Sequence, residues 1–312
     1  MSGNAVPAPC VSICVCTYKR PHLIDGLMQA LQSQSALGRV LEIIVVDNDP
    51  QRSAMPALKR WQAQSVVPLV ALSCAEPNIS LARNTAIHQA AGIWLAFIDD
   101  DELPVETWLA QLLKSAEAGG VDAVFGPVLP RYPETAPQWV VQGGFFERRR
   151  LPSGAPVGKE DVRSGNVLIR REALLAEAGP FDAAFGRTGG EDTLLFSRML
   201  DRQASFVWND EAVVFEPVEA NRMNARWLLR RAYRGGQTYI RVVMLTRAGA
   251  NRAGSIVYLL SRAVVQLGLA GVLAVLTFLW SPTQAFRWLR IAVAQCGKIS
   301  GAIGFRHQEY RH

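Results

Sequence analysis

Residues 93 to 102 read Ile93-Trp94-Leu95-Ala96-Phe97-Ile98-Asp99-Asp100-Asp101-Glu102. Six apolar residues in a row suit a short buried strand, and the run opens without a spacer onto four acids. Carboxylates crowded at a strand end repel one another, a cost accepted most readily where a divalent cation or a cationic ligand sits among them. Asp99 and Asp101, two positions apart, can face one way and offer oxygens to a single ion while Asp100 points elsewhere. The ordinary alternative is a solvated acidic turn that caps a following helix at Pro104-Val105.

On either side of this stretch, short β-branched runs alternate with segments of helical period. Strands are expected at Val11–Cys16, Leu41–Val46, Val66–Ser73, Ile93–Ile98 and Asp122–Val128, and helices at His22–Ser35, Ser53–Gln64, Ser80–Ala90 and Val105–Ala118. This order describes an α/β fold, a mainly parallel sheet covered by helices, in which ligands bind beyond the carboxyl ends of the strands. Three of those ends are polar: Thr17-Tyr18-Lys19-Arg20-Pro21, Asp47-Asn48-Asp49, and the acid cluster. The first two suit a base and ribose, and the third suits a metal-bound diphosphate.

Four segments in register carry a family resemblance: Val11–Pro21, Ile43–Asp49, Asn78-Ile79-Ser80-Leu81-Ala82-Arg83-Asn84, and the Asp-x-Asp of 99–101. Their order and spacing resemble the successive motifs of family 2 glycosyltransferases with the GT-A fold. The likeness continues through Ser164-Gly165-Asn166 and Gly189-Gly190-Glu191-Asp192, covering roughly residues 10 to 220. Asn224-Ala225-Arg226-Trp227 and the Arg230–Gln237 segment narrow it to the succinoglycan-type β-1,4-glucosyltransferases of bacterial exopolysaccharide synthesis.

The resemblance implies an inverting transfer of a sugar, glucose from UDP-glucose, from a nucleotide diphosphate to an acceptor hydroxyl. It makes Asp192 the base, with Glu191 beside it, provided the carboxylate reaches the acceptor's proton. Acids in the first turn of a helix over Thr193–Leu200 would also favour its dipole, and both readings can hold together. Asp101, with Asp99 and Glu216, would hold Mg²⁺ or Mn²⁺, the ion offsetting charge on the leaving diphosphate. Asp99 can instead touch ribose. Many relatives carry a His where the strand Ala212–Phe215 runs into Glu216-Pro217; Glu216 either replaces that ligand or pairs with an arginine.

Nucleotide contacts are implied at Thr17, Tyr18, Arg20, Asp47, Asn48, Asn78, Arg83, Asp99 and Asp100, and sugar or acceptor contacts at Gly165, Asn166 and Gly190. The plain alternatives are turn chemistry for Thr17 and Arg20, a surface ion pair for Arg83, and an Asn166 that satisfies local backbone. A nucleotidyltransferase would share the sheet and acids, but a Gly-rich loop after the first strand is expected to grip triphosphate, and Thr-Tyr-Lys-Arg-Pro has no Gly. A non-catalytic glycan-binding scaffold would not need Asp101 and Asp192 together.

Composition divides the chain. The net charge is +6, yet residues 1–219 hold 26 acids against 19 Lys and Arg, while 220–312 hold one acid, Glu309, against 14 basic residues. We therefore expect a catalytic domain over 1–219, with a nucleotide-sugar half at about 10–130 and an acceptor half at 131–219, and a basic, apolar tail over 220–312. The tail opens on Arg222, Arg226, Arg230, Arg231, Arg234 and Arg241, on a helix interrupted by Gly235-Gly236, and turns apolar from Ser255 to Trp280. Basic charge beside apolar surface suits an anionic membrane leaflet. Nucleic acid is disfavoured, because few aromatics are spaced to stack bases.

Ala263–Trp280 is slightly under the ~20 residues of a spanning helix. With Arg287, Arg290, Lys298 and Arg306 beyond it, an interfacial or re-entrant hairpin turning at Trp280-Ser281-Pro282 is expected. The competing reading is a buried helix of a soluble dimer. Five cysteines without a Cys-x-x-Cys spacing and only four His argue for a reduced compartment and against zinc. Met1–Pro9 has neither basic start nor apolar core, so no signal peptide is expected. The expected location is the cytoplasmic face of the inner membrane, with a nucleotide-diphosphate sugar as donor and a glycan or lipid-linked oligosaccharide as acceptor.

Overall fold

The structure, a computed structural model, describes residues 8, 10–177, 179–246 and 251–304. In chain order the elements are β1 Val11–Thr17, α1 Pro21–Gln32, β2 Val40–Asp47, α2 Met55–Gln64, β3 Leu69–Ser73, α3 Ile79–Gln89, β4 Trp94–Ile98, β5 Leu103–Pro104, α4 Trp108–Glu117, β6 Ala123–Phe125 and β7 Val128–Arg131. They continue with α5 Gln138–Gly143, β8 Asn166–Arg170, α6 Arg171–Leu175, α7 Glu191–Asp201, β9 Phe206–Trp208, β10 Val214–Pro217, α8 Ala225–Thr246, α9 Asn251–Phe278 and α10 Pro282–Ala302. Two compact units result: 1–129 with 148–187 and 191–216, and 130–147 with 188–190 and 217–312.

The first unit is built on a seven-stranded sheet in the order β3-β2-β1-β4-β8-β6-β9. Strands β3, β2, β1 and β4 run parallel, β8 is antiparallel to β4 and β6, and β6 is parallel to β9. β-branched and aromatic side chains on both faces drive burial, since a doubly covered sheet has no wet face. One face packs on α1, α2 and α4 through Ile24, Leu27, Leu58, Leu109 and Leu112. The other packs on α3 and α7 through Ala82, Ile87, Leu195 and Phe196.

Register is what brings the polar strand ends together. Thr17 pairs with Asp47 across β1 and β2, and Cys14 with Phe97 across β1 and β4, so three residues on Thr17 comes level with Asp100. Antiparallel β8 starts at Asn166 opposite Ile98, which returns the Ser164-Gly165 turn to that same edge. The acid cluster does not cap a helix at Pro104: Leu103–Pro104 forms β5, Phe215 of β10 pairing with Leu103, and the helix starts later, at Trp108. This pairing sets Glu216 opposite Glu102.

In the second unit, α10 packs along both α8 and α9, and aromatic rings of Trp139, Phe145 and Phe286 meet edge to face or tilted between α5 and α10. Gly235-Gly236 does not break the helix, contrary to the sequence expectation, and α8 runs through it. A side chain at Gly236 would overlap the Ala294 carbonyl, and one at Gly297 the Tyr233 carbonyl. Glycine here lets two helix backbones touch, and the packing gained offsets its ~1 kcal/mol helix penalty. The expected turn is present: α9 ends at Phe278 and α10 starts at Pro282, with Ser281 Oγ accepting from the Gln284 amide at 3.3 Å.

Within α9, Ala253–Phe278 has a mean hydropathy of 2.0 and is long and apolar enough to cross a membrane. Ala263 and Ala270 are buried, while Val264, Val265, Leu269, Val272, Val275 and Leu276 are exposed. That spacing leaves a continuous apolar face. The expected basic residue Arg306 lies outside the described residues.

Candidate active site

At the carboxyl end of β4 the four acids are held by Arg83, Thr17, Arg20 and a backbone amide. Asp99 accepts from Arg83 at 3.3 Å. Asp100 Oδ2 accepts from Thr17 Oγ1 at 2.7 Å and its Oδ1 from Arg20 at 3.1 Å, while Asp101 accepts from the same guanidinium at 2.9 Å. Glu102, at 1% exposure, folds back to accept the Asp99 amide at 3.1 Å. Burial pushes Asp100 up to about 6, with Asp101 adding like charge against the relief from Arg20 and Thr17. Burial raises Glu102 well above the usual carboxylate range, and Asp99 raises it further. Asp99 is itself raised by burial and by Asp101 and Glu216, against the relief from Arg83.

Arg83 links this end of the sheet to the start of α7. It is buried, lies 5.3 Å over the Phe181 ring, and forms an ion pair with Glu191 as well as with Asp99. Its charge is thus fully engaged inside the protein, and the surface ion pair considered from sequence is excluded. Glu191 is pushed up to about 7 by burial, against Arg83. Its Oε2 is buried without a hydrogen-bond partner among the described residues. Next to it, Asp192 Oδ1 accepts from the Thr193 amide at 2.6 Å, and Oδ2 receives only a long 3.4 Å contact from the Ser164 amide. Gly189 and Gly190 precede the pair at φ 77° and 94°, a left-handed backbone that favours glycine.

Several residues assigned to ligand contact turn out to hold the loops. Asn166 is fully buried; Trp108 Nε1 donates to its Oδ1 at 2.8 Å, and its Nδ2 donates to the Ala212 and Pro127 carbonyls at 2.7 and 3.0 Å. Its side-chain amide ties the start of β8 to α4 and to the segments before β7 and β10. Asp47, also fully buried, accepts from the Asp49 and Ala54 amides at 3.0 and 2.8 Å. Asn78 is the N-cap of α3, accepting from Ser80 N at 3.1 Å, and its own amide donates to Asn48 Oδ1 at 3.2 Å. Asp100 and Thr17 face each other. These five residues, with Asn48, set the shape of the rim.

Glu216 takes the second of its two readings and accepts from Arg148 at 2.6 Å. Tyr18 stays half-buried on the β1 loop, with Lys19 Nζ 5.1 Å from its ring centroid. Gly165 is required by closeness, since a Cβ there would overlap Glu102 Oε1 and sit 3.1 Å from Asp99 Oδ2. The sequence reading named Glu102 in the acid cluster but gave it no role, and it missed Arg148 and Arg163. The Arg148-Arg149-Arg150 run was the available signal, but it lies in a Pro- and Gly-rich stretch without period.

No three His, Cys, Asp or Glu side chains are grouped to hold a metal unaided among the described residues. The donor chemistry nevertheless fits a hard cation: Asp99 and Asp101 crowd like charge, and the remaining positions of Mg²⁺ or Mn²⁺ are ones that phosphate oxygens and water fill.

Residues 12–175 match glycosyl transferase family 2. The chain is 35% identical over 303 residues to succinoglycan biosynthesis protein ExoM of Rhizobium meliloti, covering 96% of this chain and 94% of that protein. It is 25% identical over 244 residues to glycosyltransferase AglE of Haloferax volcanii, 78% of this chain and 77% of the relative. In fold it is similar to S. aureus TarS 1-349, with a TM-score of 0.56, 15% identity and coverage of 96% and 93% of the two chains. The same TarS fragment in complex with UDP gives 0.54 at 16% identity. With the GT-A arrangement, a match over more than half of the chain and a full-length relative, this chain belongs to glycosyl transferase family 2 and is a glycosyltransferase.

Proposed function

We propose that the protein transfers glucose from UDP-glucose, with inversion, to a hydroxyl of a lipid-linked glycan during bacterial exopolysaccharide or cell-surface polysaccharide synthesis. The observation that carries this reading is the single guanidinium of Arg83, which ties Asp99 of the acid cluster to Glu191, the neighbour of Asp192. Donor-side and acceptor-side carboxylates therefore form one connected site. The similarity to a succinoglycan biosynthesis protein supports the polysaccharide, and the UDP complex of a similar fold supports the nucleotide.

In this scheme Asp192 Oδ2, only weakly engaged by Ser164, takes the acceptor's proton as its oxygen attacks the anomeric carbon. The bond from that carbon to the diphosphate breaks on the opposite side. Arg83 fixes Glu191 and so the first turn of α7, holding Asp192 in place. Asp101, with Asp99, would hold Mg²⁺ or Mn²⁺, which when bound supplies Lewis-acid stabilisation of the departing diphosphate.

The tail would place this chemistry at the cytoplasmic membrane leaflet. Helix α9 turns an apolar face outward while α10 lies along it, an arrangement that supports a hairpin docked on one leaflet over a single span. Exposed Arg226, Arg230 and Arg262 would meet anionic headgroups. Nucleotide release from a panel of sugar donors, with and without Mn²⁺, tests the activity. Release that is confined to one UDP-sugar and raised by Mn²⁺ is expected; triphosphate turnover instead would indicate nucleotidyl transfer, and no turnover a binding scaffold.

A further inference from the structure

The transfer scheme leaves Arg163 unused. It stands one residue before the Ser164-Gly165 turn, partly buried, and its single hydrogen bond among the described residues runs from Nε to the Asp161 carbonyl at 3.5 Å, at or beyond the limit of a useful bond. The other four N–H donors have no hydrogen-bond partner among the described residues. Its charged neighbours are Arg148, Asp192, Asp161 and Glu102. Each acid among them is engaged elsewhere: Asp161 with Arg149 at 3.2 Å, Glu102 with the Asp99 amide, Asp192 with Thr193 and Ser164.

Burial, then the nearby Arg148, pulls Arg163 down to about 10, so its charged form is held at a cost. Two partly buried guanidinia brought together mirror the crowded carboxylates of β4, and an anion would relieve them. A planar fork with unspent donors matches a carboxylate or a phosphate. We propose that Arg163, backed by Arg148, forms a subsite for an anionic group, a carboxylate or phosphate, carried by a sugar bound beside Asp192. The group belongs to the terminal residue of the acceptor, since the transferred glucose is neutral. This rests on Asp192 lying at the reacting centre. A neutral sugar leaves the donors unpaired and is discriminated against for that reason.

The test compares nucleotide release by the purified full chain in two arms. The donor arm sets UDP-glucuronate against UDP-glucose, and the acceptor arm sets glucuronate-terminated against glucose-terminated oligosaccharides. The charged member is expected to be preferred at least tenfold in the acceptor arm, while UDP-glucose stays the better donor. Arg163→Met should bring the acceptor ratio near one, and Arg163→Lys, a point charge without the fork, should leave it intermediate. A native acceptor ratio near one, or a charged preference confined to the donor arm, would overturn the inference. So would a folded Arg163→Met that keeps the native ratio, or one that slows charged and neutral substrates alike, as a diphosphate contact would. If Arg163→Met does not fold, Arg163→Lys with unchanged selectivity overturns it as well. Turnover without charge selectivity removes this inference alone, whereas no release from any donor removes the proposed function with it.

Discussion

Arginines of the catalytic unit and of the tail helices are spent differently. Around the β4 rim, Arg20, Arg83 and Arg148 each bind a carboxylate at hydrogen-bond distance. In the tail, Arg287 donates to the Gln142 and Gly143 carbonyls, Arg231 lies over Trp227 and Phe146, and Arg290 over Phe145. Helices α8 to α10 contain no Asp or Glu, so carbonyl dipoles and ring faces hold their cations in place without cancelling the charge. One region balances its charge locally, so that a ligand exchanges one partner for another. The other keeps a net positive field that an anionic surface can meet.

The contrast can be broken in order of effect. Asp192→Asn removes the proposed base of the balanced region; turnover should fall about 10²- to 10⁴-fold, with UDP affinity measured by calorimetry within twofold of native. Arg83→Met strips the counter-charge from Glu191 and Asp99, and breaking a buried pair from one side costs about 3–5 kcal/mol; urea unfolding should show that loss. In the tail, replacing Arg226, Arg230 and Arg262 together by Gln should weaken binding to anionic vesicles by about 1 kcal/mol per residue. High salt should reduce the native protein's binding in the same direction, and neutral vesicles should show little difference.

The smallest effect is on pH. Asp100 is raised in the fold, so the folded state binds more protons than the unfolded chain between the ordinary Asp range and about 6. Stability therefore falls as pH rises through that window, by about 3 kcal/mol at most and less if the cluster relaxes. Urea midpoints from pH 4 to 7 should drop less in Asp100→Asn than in the native protein.

How much of this was legible in the sequence depends on what set each element. Strands β1, β2 and β4 and their polar ends follow from local periodicity, and the hairpin turn at Ser281-Pro282 from Pro chemistry. Two-residue β5 is invisible because its partner, β10, lies more than 100 residues away. Gly235-Gly236 reads as a helix break until a second helix is present to pack on Gly236. The motif acids were found, but that Asn166, Asp47 and Asn78 also hold the loops through buried hydrogen bonds is something only burial and partners reveal. Arg148 and Arg163 reach the rim through irregular chain that carries no pattern.

The central claim is that the acid cluster on β4 grips a cation together with the donor's diphosphate. Calorimetric titration of the full chain with UDP, in Mn²⁺ and in EDTA, tests it most directly. Tighter binding in Mn²⁺ that disappears in Asp101→Ala is the predicted result; equal affinity in all four combinations would contradict it.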